Sequence, residues 1–166
     1  MADHIIDTNV LLVASAANSA SPFTDSDLPG ELQTHVLNWL TAFRLDTTRA
    51  MVWDTTWTIY SEYRRKLTDQ DYGLQVVHEK LDSARFVAIE LDDDSNATVP
   101  VEFSSFDRSD RKFLAVLLAD EEKSTLINAT DTDWLEIEDD LRAAGVTVEH
   151  LLEDWLRTKR AEKKSR

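Results

Sequence analysis

The 166 residues carry 18 Lys and Arg against 32 Asp and Glu, a formal charge of −14, with 42% hydrophobic residues and no cysteine. That size and apolar share predict one domain with a single core. The missing cysteines exclude a disulfide framework or thiolate site, the four scattered histidines (His4, His35, His78, His150) lack zinc-ligand spacing, and an acidic surface repels polyanions at long range.

In chain order, short β-branched runs alternate with longer amphipathic stretches, the pattern of an α/β fold. Predicted strands are His4–Asp7, Met51–Asp54, Phe86–Leu91, Thr125–Asn128 and a fifth at Val146–Val148. Predicted helices are Val10–Ala17, Glu31–Arg44, Thr56–Leu67, Asp71–Ala84, Arg108–Ala119, Glu138–Ala144 and Glu149–Arg160. Pro and Gly make residues 18–30 a loop, and Leu91–Pro100 a second one. The acid run Asp92–Asp94 in that second loop reads as solvated rather than metal-binding.

The stretch Val10–Ala17 lacks the basic flank of a signal peptide, and no run approaches the ~18 apolar residues of a membrane span. A cytoplasmic protein without a membrane contact is the expectation. The last eight residues, KRAEKKSR, hold five basic residues and one acid, leaving thirteen basic against thirty-one acidic before them. They read as a basic C-terminal tail (159–166) on a domain spanning 1–158, most simply a solvated helix end, with a nucleic-acid or partner contact as the sharper alternative.

Strands joined by helices form right-handed parallel crossovers, so the strand carboxyl ends open on one edge of the sheet, where ligands bind in α/β folds. Asp7 sits at such an end, and so do Thr130, Asp131 and Asp133 in "INATDTDW". Glu62 in "WTIYSEYRRKL" borders the apolar face of a helix, and Asp110 in "FDRSDRKFLAVLLAD" stands in the first turn of another, with Ser109 or Asp107 as its cap. Each acid read alone is a cap, a helix-dipole acid or a surface residue. Together they are four carboxylates that the topology can bring to one crevice. Like charges that close raise one another's pKa unless a cation neutralises them, and oxygen ligands without His or Cys favour Mg²⁺ or Mn²⁺.

With these residues in hand, the chain resembles the PIN domains, a nuclease fold found in many bacterial and archaeal toxin–antitoxin pairs. The resemblance runs from about residue 4 to 136 through "IIDTNVLL", "SEYRRKL", "DRKFLAVLLA" and "NATDTDW". It implies a three-layer α/β/α domain with a central parallel sheet of about five strands. It also implies metal-dependent endoribonuclease activity, hydrolysing RNA phosphodiester bonds to leave 5′-phosphate and 3′-hydroxyl ends. Carried over, Asp7, Glu62, Asp110 and Asp131 are the catalytic and metal-binding acids, Asp133 is a fifth candidate ligand, and Asn9 orients Asp7.

Where the family often has a hydroxyl residue two places before the last acid, Ala129 stands here with Thr130 beside it. The role of Thr130, and the choice between Asp131 and Asp133 as main ligand, stay open. Asp107 rivals Asp110, though its position suits a helix cap better. The resemblance further implies an RNA substrate, a protein antitoxin as a candidate partner, and a homodimer that joins basic patches.

Arg64, Arg65, Lys66, Arg108, Arg111 and Lys112 flank the acids and are candidate phosphate contacts, some of them engaged instead in pairs on the helix surface. Among the five tryptophans, Trp39, Trp53 and Trp155 read as core or interface, while Trp57 and Trp134 lie nearest the crevice. Two other readings remain: a catalytically silent PIN-like module that binds RNA or protein, and an aspartate-based phosphotransfer domain. The second is weakened by the missing second aspartate in D-T-N and by the lack of a lysine after the later strand.

Overall fold

The computed structural model describes residues 3–21, 28–91 and 99–165, so part of the first predicted loop (22–27) and the acid run Asp92–Asp94 lie outside the described residues. Five strands form one sheet: β1 (His4–Ile6), β2 (Met51–Asp54), β3 (Phe86–Ile89), β4 (Thr125–Asn128) and β5 (Val148–His150), in the order β3-β2-β1-β4-β5. Every pairing is parallel. The central strands bury both faces, which explains why "HII", "MVWD" and "TLIN" read as continuous apolar runs rather than alternating ones.

From β1 the chain steps to β2 and β3 on one side, then returns past β1 to β4 and β5 on the other. Right-handed crossovers therefore place α1 (Thr8–Ala17), α2 (Gly30–Leu45), α3 (Thr58–Lys66) and α4 (Tyr72–Asp82) on one face. They place α5 (Arg111–Ala119), α6 (Asp133–Glu136) and α7 (Glu138–Ala143) on the other, and a last helix, α8 (Glu153–Lys164), closes the chain. Helices α1, α2 and α4 pack together, while α5 lies across β1, β2 and β4. The fold is thus α/β with helices flanking an all-parallel sheet, as the alternating pattern predicts. Among the described residues no helix is long and apolar enough to cross a membrane.

Close packing of α1 on α4 depends on Gly73: a Cβ there would stand 2.6 Å from the Leu11 carbonyl oxygen. The Gly73 N–H donates to Ser15 Oγ at 2.8 Å, so the two helices are also bonded where they touch.

The fifth strand departs from expectation. It covers Val148–His150 rather than Val146–Val148, and the helix expected from Glu149 begins only at Glu153. Gly145, at φ +75°, ends α7 in a Schellman turn: its N–H donates to the Arg142 carbonyl and the Val146 N–H to that of Leu141. Val146 buries against Leu141 to complete that turn, so pairing with β4 starts two residues later, in the register Leu126↔Val148 to Asn128↔His150. Two elements have no counterpart in the sequence reading: a 3₁₀ turn at Val101–Phe103 and the short α6. The last helix runs unbroken to Lys164, so most of the basic tail residues stand on it.

Candidate metal centre

The strand order reverses between β1 and β4, and the helices that follow these two strands leave on opposite faces. A crevice opens at such a point, outside the strand carboxyl ends. Asp7 follows β1 directly and serves as the N-cap residue of α1, its N–H held by the Ile127 carbonyl of β4 at 3.0 Å. Asp131 follows β4 by three residues.

That β4 loop is fastened from both sides. Asn9 Oδ1 accepts from the N–H groups of Ala129 (2.8 Å) and Thr130 (3.1 Å), and Asn9 Nδ2 donates to Asn128 Oδ1 at 3.0 Å. Asn128, fully buried, accepts from the Asp131 N–H and donates through Nδ2 to the Asp131 carbonyl and toward His150 Nδ1. Asn9 thus orients the loop that carries Asp131 through its side chain, while its backbone N–H serves the Asp7 carboxylate. The hydroxyl-bearing neighbour Thr130 contributes its backbone to this fastening.

Asp110 arrives from the opposite face. Asp107 caps the 3₁₀ turn Arg108–Asp110, accepting from the Ser109 N–H (2.9 Å) and Oγ (3.0 Å), and Asp110 then opens α5. Of the two rivals, Asp107 is therefore the cap. Carboxylate oxygens of Asp7, Asp110 and Asp131 all lie within 4.8 Å of one another. A second set within the same distance joins Asp110 to Asp107 and Asp133. Of the two acids after β4, Asp131 groups with Asp7 and Asp110, and Asp133 groups with Asp107 and Asp110. The Asp133 N–H donates to Asp131 Oδ1 at 2.9 Å, which steadies Asp131 from within the loop.

The electrostatics follow from this crowding. Burial, then the Asp131 charge, raise the Asp7 carboxyl to about 7, against the opposing effect of the Trp134 N–H that donates to its Oδ2 at 2.7 Å. Burial, then the charges of Asp7 and Asp131, raise Asp110 to about 9. A hydrogen bond between Asp110 and Asp131 adds to that rise, and between two carboxyls it needs a proton. Burial and Asp131 also raise Asp133. Without a cation the protein keeps protons here that aspartates ordinarily lose well below neutral pH. The three aspartate oxygens are hard donors of the kind that hold a divalent ion with waters completing the shell.

Glu62 faces the same cleft, of about 350 Å³, which Thr8, Asn9, Arg65, Lys66 and Ser109 also line. Two bonds bring Glu62 there: Asp54 caps the start of α3, and the Tyr63 hydroxyl donates to the Ile6 carbonyl, tying α3 to the end of β1. Among the described residues, Glu62 belongs to no set of three acids within 4.8 Å of one another, although its charge helps to raise Asp7. It accepts from the Thr8 hydroxyl and from Lys112 Nζ at 2.6 Å.

The other candidate phosphate contacts divide. Arg65 and Lys66 line the cleft, whereas Arg111 donates to the carbonyls of Ser104 and Phe106, and Arg64 is bonded to Tyr60. Arg108 is exposed beside the 3₁₀ turn.

Sequence reasoning missed Asn128 and the use made of Trp134, which is a buried hydrogen-bond donor to Asp7 rather than an exposed ring. The signal for Asn128 was present: an amide ending the apolar strand "TLIN" is costly to bury without partners. Trp57 belongs to an aromatic cluster with Trp53, Tyr60 and Phe86.

No family model matches the chain, and searches of curated proteins and of solved structures return no match.

Proposed function

We propose that the protein is a metal-dependent endoribonuclease of the PIN type, which hydrolyses RNA phosphodiester bonds at the cleft beyond the ends of β1 and β4. One observation carries this reading. Three carboxylates from two faces of an α/β sheet converge at its switch point, and two of them are held far above the ordinary aspartate range. Such an arrangement stabilises nothing in the metal-free protein; it gains its value when a cation neutralises it.

Asp7, Asp110 and Asp131 would hold a Mg²⁺ or Mn²⁺ ion, and that ion would supply a bound water of lowered pKa and charge stabilisation for a phosphoryl centre. The chain's own groups prepare the site. Trp134 fixes the Asp7 carboxylate, while Asn9 and Asn128 fix the loop of Asp131. Arg65 and Lys66 supply positive charge at the cleft of a protein whose net charge is −14, so local potential rather than overall charge holds the RNA. A homodimer would join two such patches, and a protein inhibitor acting on this cleft would make the chain the toxin of a toxin–antitoxin pair.

The test is Mn²⁺ calorimetry on wild type and on Asp7→Asn with Asp110→Asn, alongside cleavage of a mixed RNA pool in the same buffer. The expected result is metal binding and products with 5′-phosphate ends for wild type, and neither for the double variant. A wild type that binds no Mn²⁺ at millimolar concentration and cuts nothing overturns the reading in favour of a non-catalytic binding module.

A further inference from the structure

Glu62 shares the cleft with the aspartate triad, yet both of its oxygens are already engaged by the protein. The Thr8 hydroxyl donates to Oε2, Lys112 Nζ stands 2.6 Å from Oε1, and Arg65 approaches the same oxygen at 3.7 Å. This is not a surface ion pair. The Lys112 side chain is 12% exposed and that of Glu62 9%, so removing Glu62 strips Lys112 of its counter-ion in a poorly solvated place, and removing Lys112 leaves Glu62 only the longer contact with the exposed Arg65.

Lys112 is held in three ways. Its ammonium also donates to the Ser109 carbonyl, and it lies 5.3 Å from the centre of the Phe113 ring. It stands two positions after Asp110, so the turn that delivers Asp110 to the triad also delivers an ammonium to Glu62, a residue that lines the cleft.

Resting on the nuclease reading above, we propose that Lys112 is the resident cation of the Glu62 side. The protein then takes one divalent ion, at Asp7, Asp110 and Asp131, while the lysine occupies the place next to Glu62 that a second ion would otherwise contest. Glu62 acts as a positioning residue for Lys112 and not as a metal ligand. Two of the ammonium's three donors go to Glu62 and Ser109, which fixes its place beside the Glu62 carboxylate. A compact point charge of this kind suits a resident counter-ion. The second acid set, Asp107 and Asp133 with Asp110, is not counted as a separate site, because it shares Asp110 with the first and its Asp107 is exposed.

The experiment counts Mn²⁺ per chain by calorimetry and reads ion–ion coupling by electron paramagnetic resonance. It uses the wild type, Lys112→Met, Lys112→Arg, Glu62→Gln and the double variant Lys112→Met with Glu62→Gln, with circular dichroism to confirm folding. Wild type and Lys112→Arg are expected to bind one uncoupled ion. Lys112→Met is expected to bind a second, coupled ion, and the double variant to lose it again. Glu62→Gln is expected to retain the first ion with affinity changed by less than about tenfold, the low end of what disturbing a group beside a metal ligand costs.

Two coupled ions in the wild type, which needs no variant to be folded, would overturn the inference while leaving the nuclease reading intact. So would loss of the first ion in Glu62→Gln, or a folded Lys112→Met that stays at one ion. Absence of any Mn²⁺ binding by wild type would instead remove the nuclease reading itself, and this inference with it.

Discussion

Asp7 and Asp54 stand at equivalent places, the carboxyl ends of two neighbouring parallel strands, and both are buried, at 4% and 1% exposure. Their chemistry is opposite. Around Asp54 the chain folds back to supply donors: the N–H groups of Thr58 and Ile59 at 3.0 Å and the Thr56 hydroxyl at 2.7 Å. Burial pushes that carboxyl up, but the bonds from Ile59, Thr56 and Thr58 outweigh it and hold it below the ordinary value. Asp7 receives the Trp134 N–H, and burial together with Asp131 and Glu62 carries it up to about 7. An acid at a strand end is a satisfied cap where the chain returns donors to it, and a repelled carboxylate where the chain returns other acids.

The largest test of that contrast is the pair Asp7→Asn and Asp54→Asn. Asp7→Asn should cost more than about a hundredfold in Mn²⁺ affinity, beyond what disturbing a group that merely supports a ligand does. It should also raise the melting temperature in chelator, because it removes a repelled carboxylate. Asp54→Asn should leave the Mn²⁺ stoichiometry unchanged and lower stability by about 1–3 kcal/mol in a denaturant titration, the range for weakening a buried cap. Metal affinity falling equally in both would erase the distinction.

Titration sharpens the same contrast. Native Asp7 and Asp110 retain protons that the unfolded chain has released, so between about pH 4 and the values of about 7 and 9 the native state binds more protons. Stability of the metal-free protein should therefore fall as pH rises through that window, and saturating Mn²⁺ should abolish the fall. Asp54, held low, contributes in the other sense, with stability present above the ordinary aspartate value and lost as pH drops below it. His4, at the amino end of β1, is held to about 4 by burial and by Arg49. Between pH 6.5 and 4 the unfolded chain takes up the proton that native His4 refuses, so this contribution too is lost on acidification. Chemical denaturation across pH, with and without Mn²⁺, should thus show an alkaline arm that metal removes and an acid arm that it does not.

A smaller effect belongs to Trp134→Phe, which keeps an aromatic ring packed at a tilt against Phe106 but deletes the donor to Asp7. Mn²⁺ affinity should change by about tenfold, with the Asp7 carboxyl pushed higher still. Smallest is Arg160→Gln on α8, which removes an exposed pair with Glu136. It should cost no more than about 1 kcal/mol in a melt at low salt and less at high salt.

Much of this was legible in the sequence, because burial of strands on both faces leaves unbroken apolar runs and crossover helices leave amphipathic ones. The first four strands and most helices follow from those patterns, and so does the placing of Asp7 and Asp131 on one edge, since parallel strands point their ends the same way. The cap role of Asp107 was equally readable from its spacing before "SDRKFL".

Other features depend on distances along the chain that no local pattern encodes. The fifth strand slid by two residues because a Schellman turn at Gly145 claimed Val146. Asp54 ends its strand much as Asp7 follows its own, and only the return of α3 over it makes it a cap. The partners of Glu62 were equally hidden, since a lysine fifty residues later and a threonine fifty-four residues earlier bond its carboxylate. Composition and periodicity determined which acids share an edge of the sheet. The tertiary structure decided which of them meet each other and which meet a donor, because in a desolvated crevice a few ångströms separate a repelled carboxylate from a satisfied one.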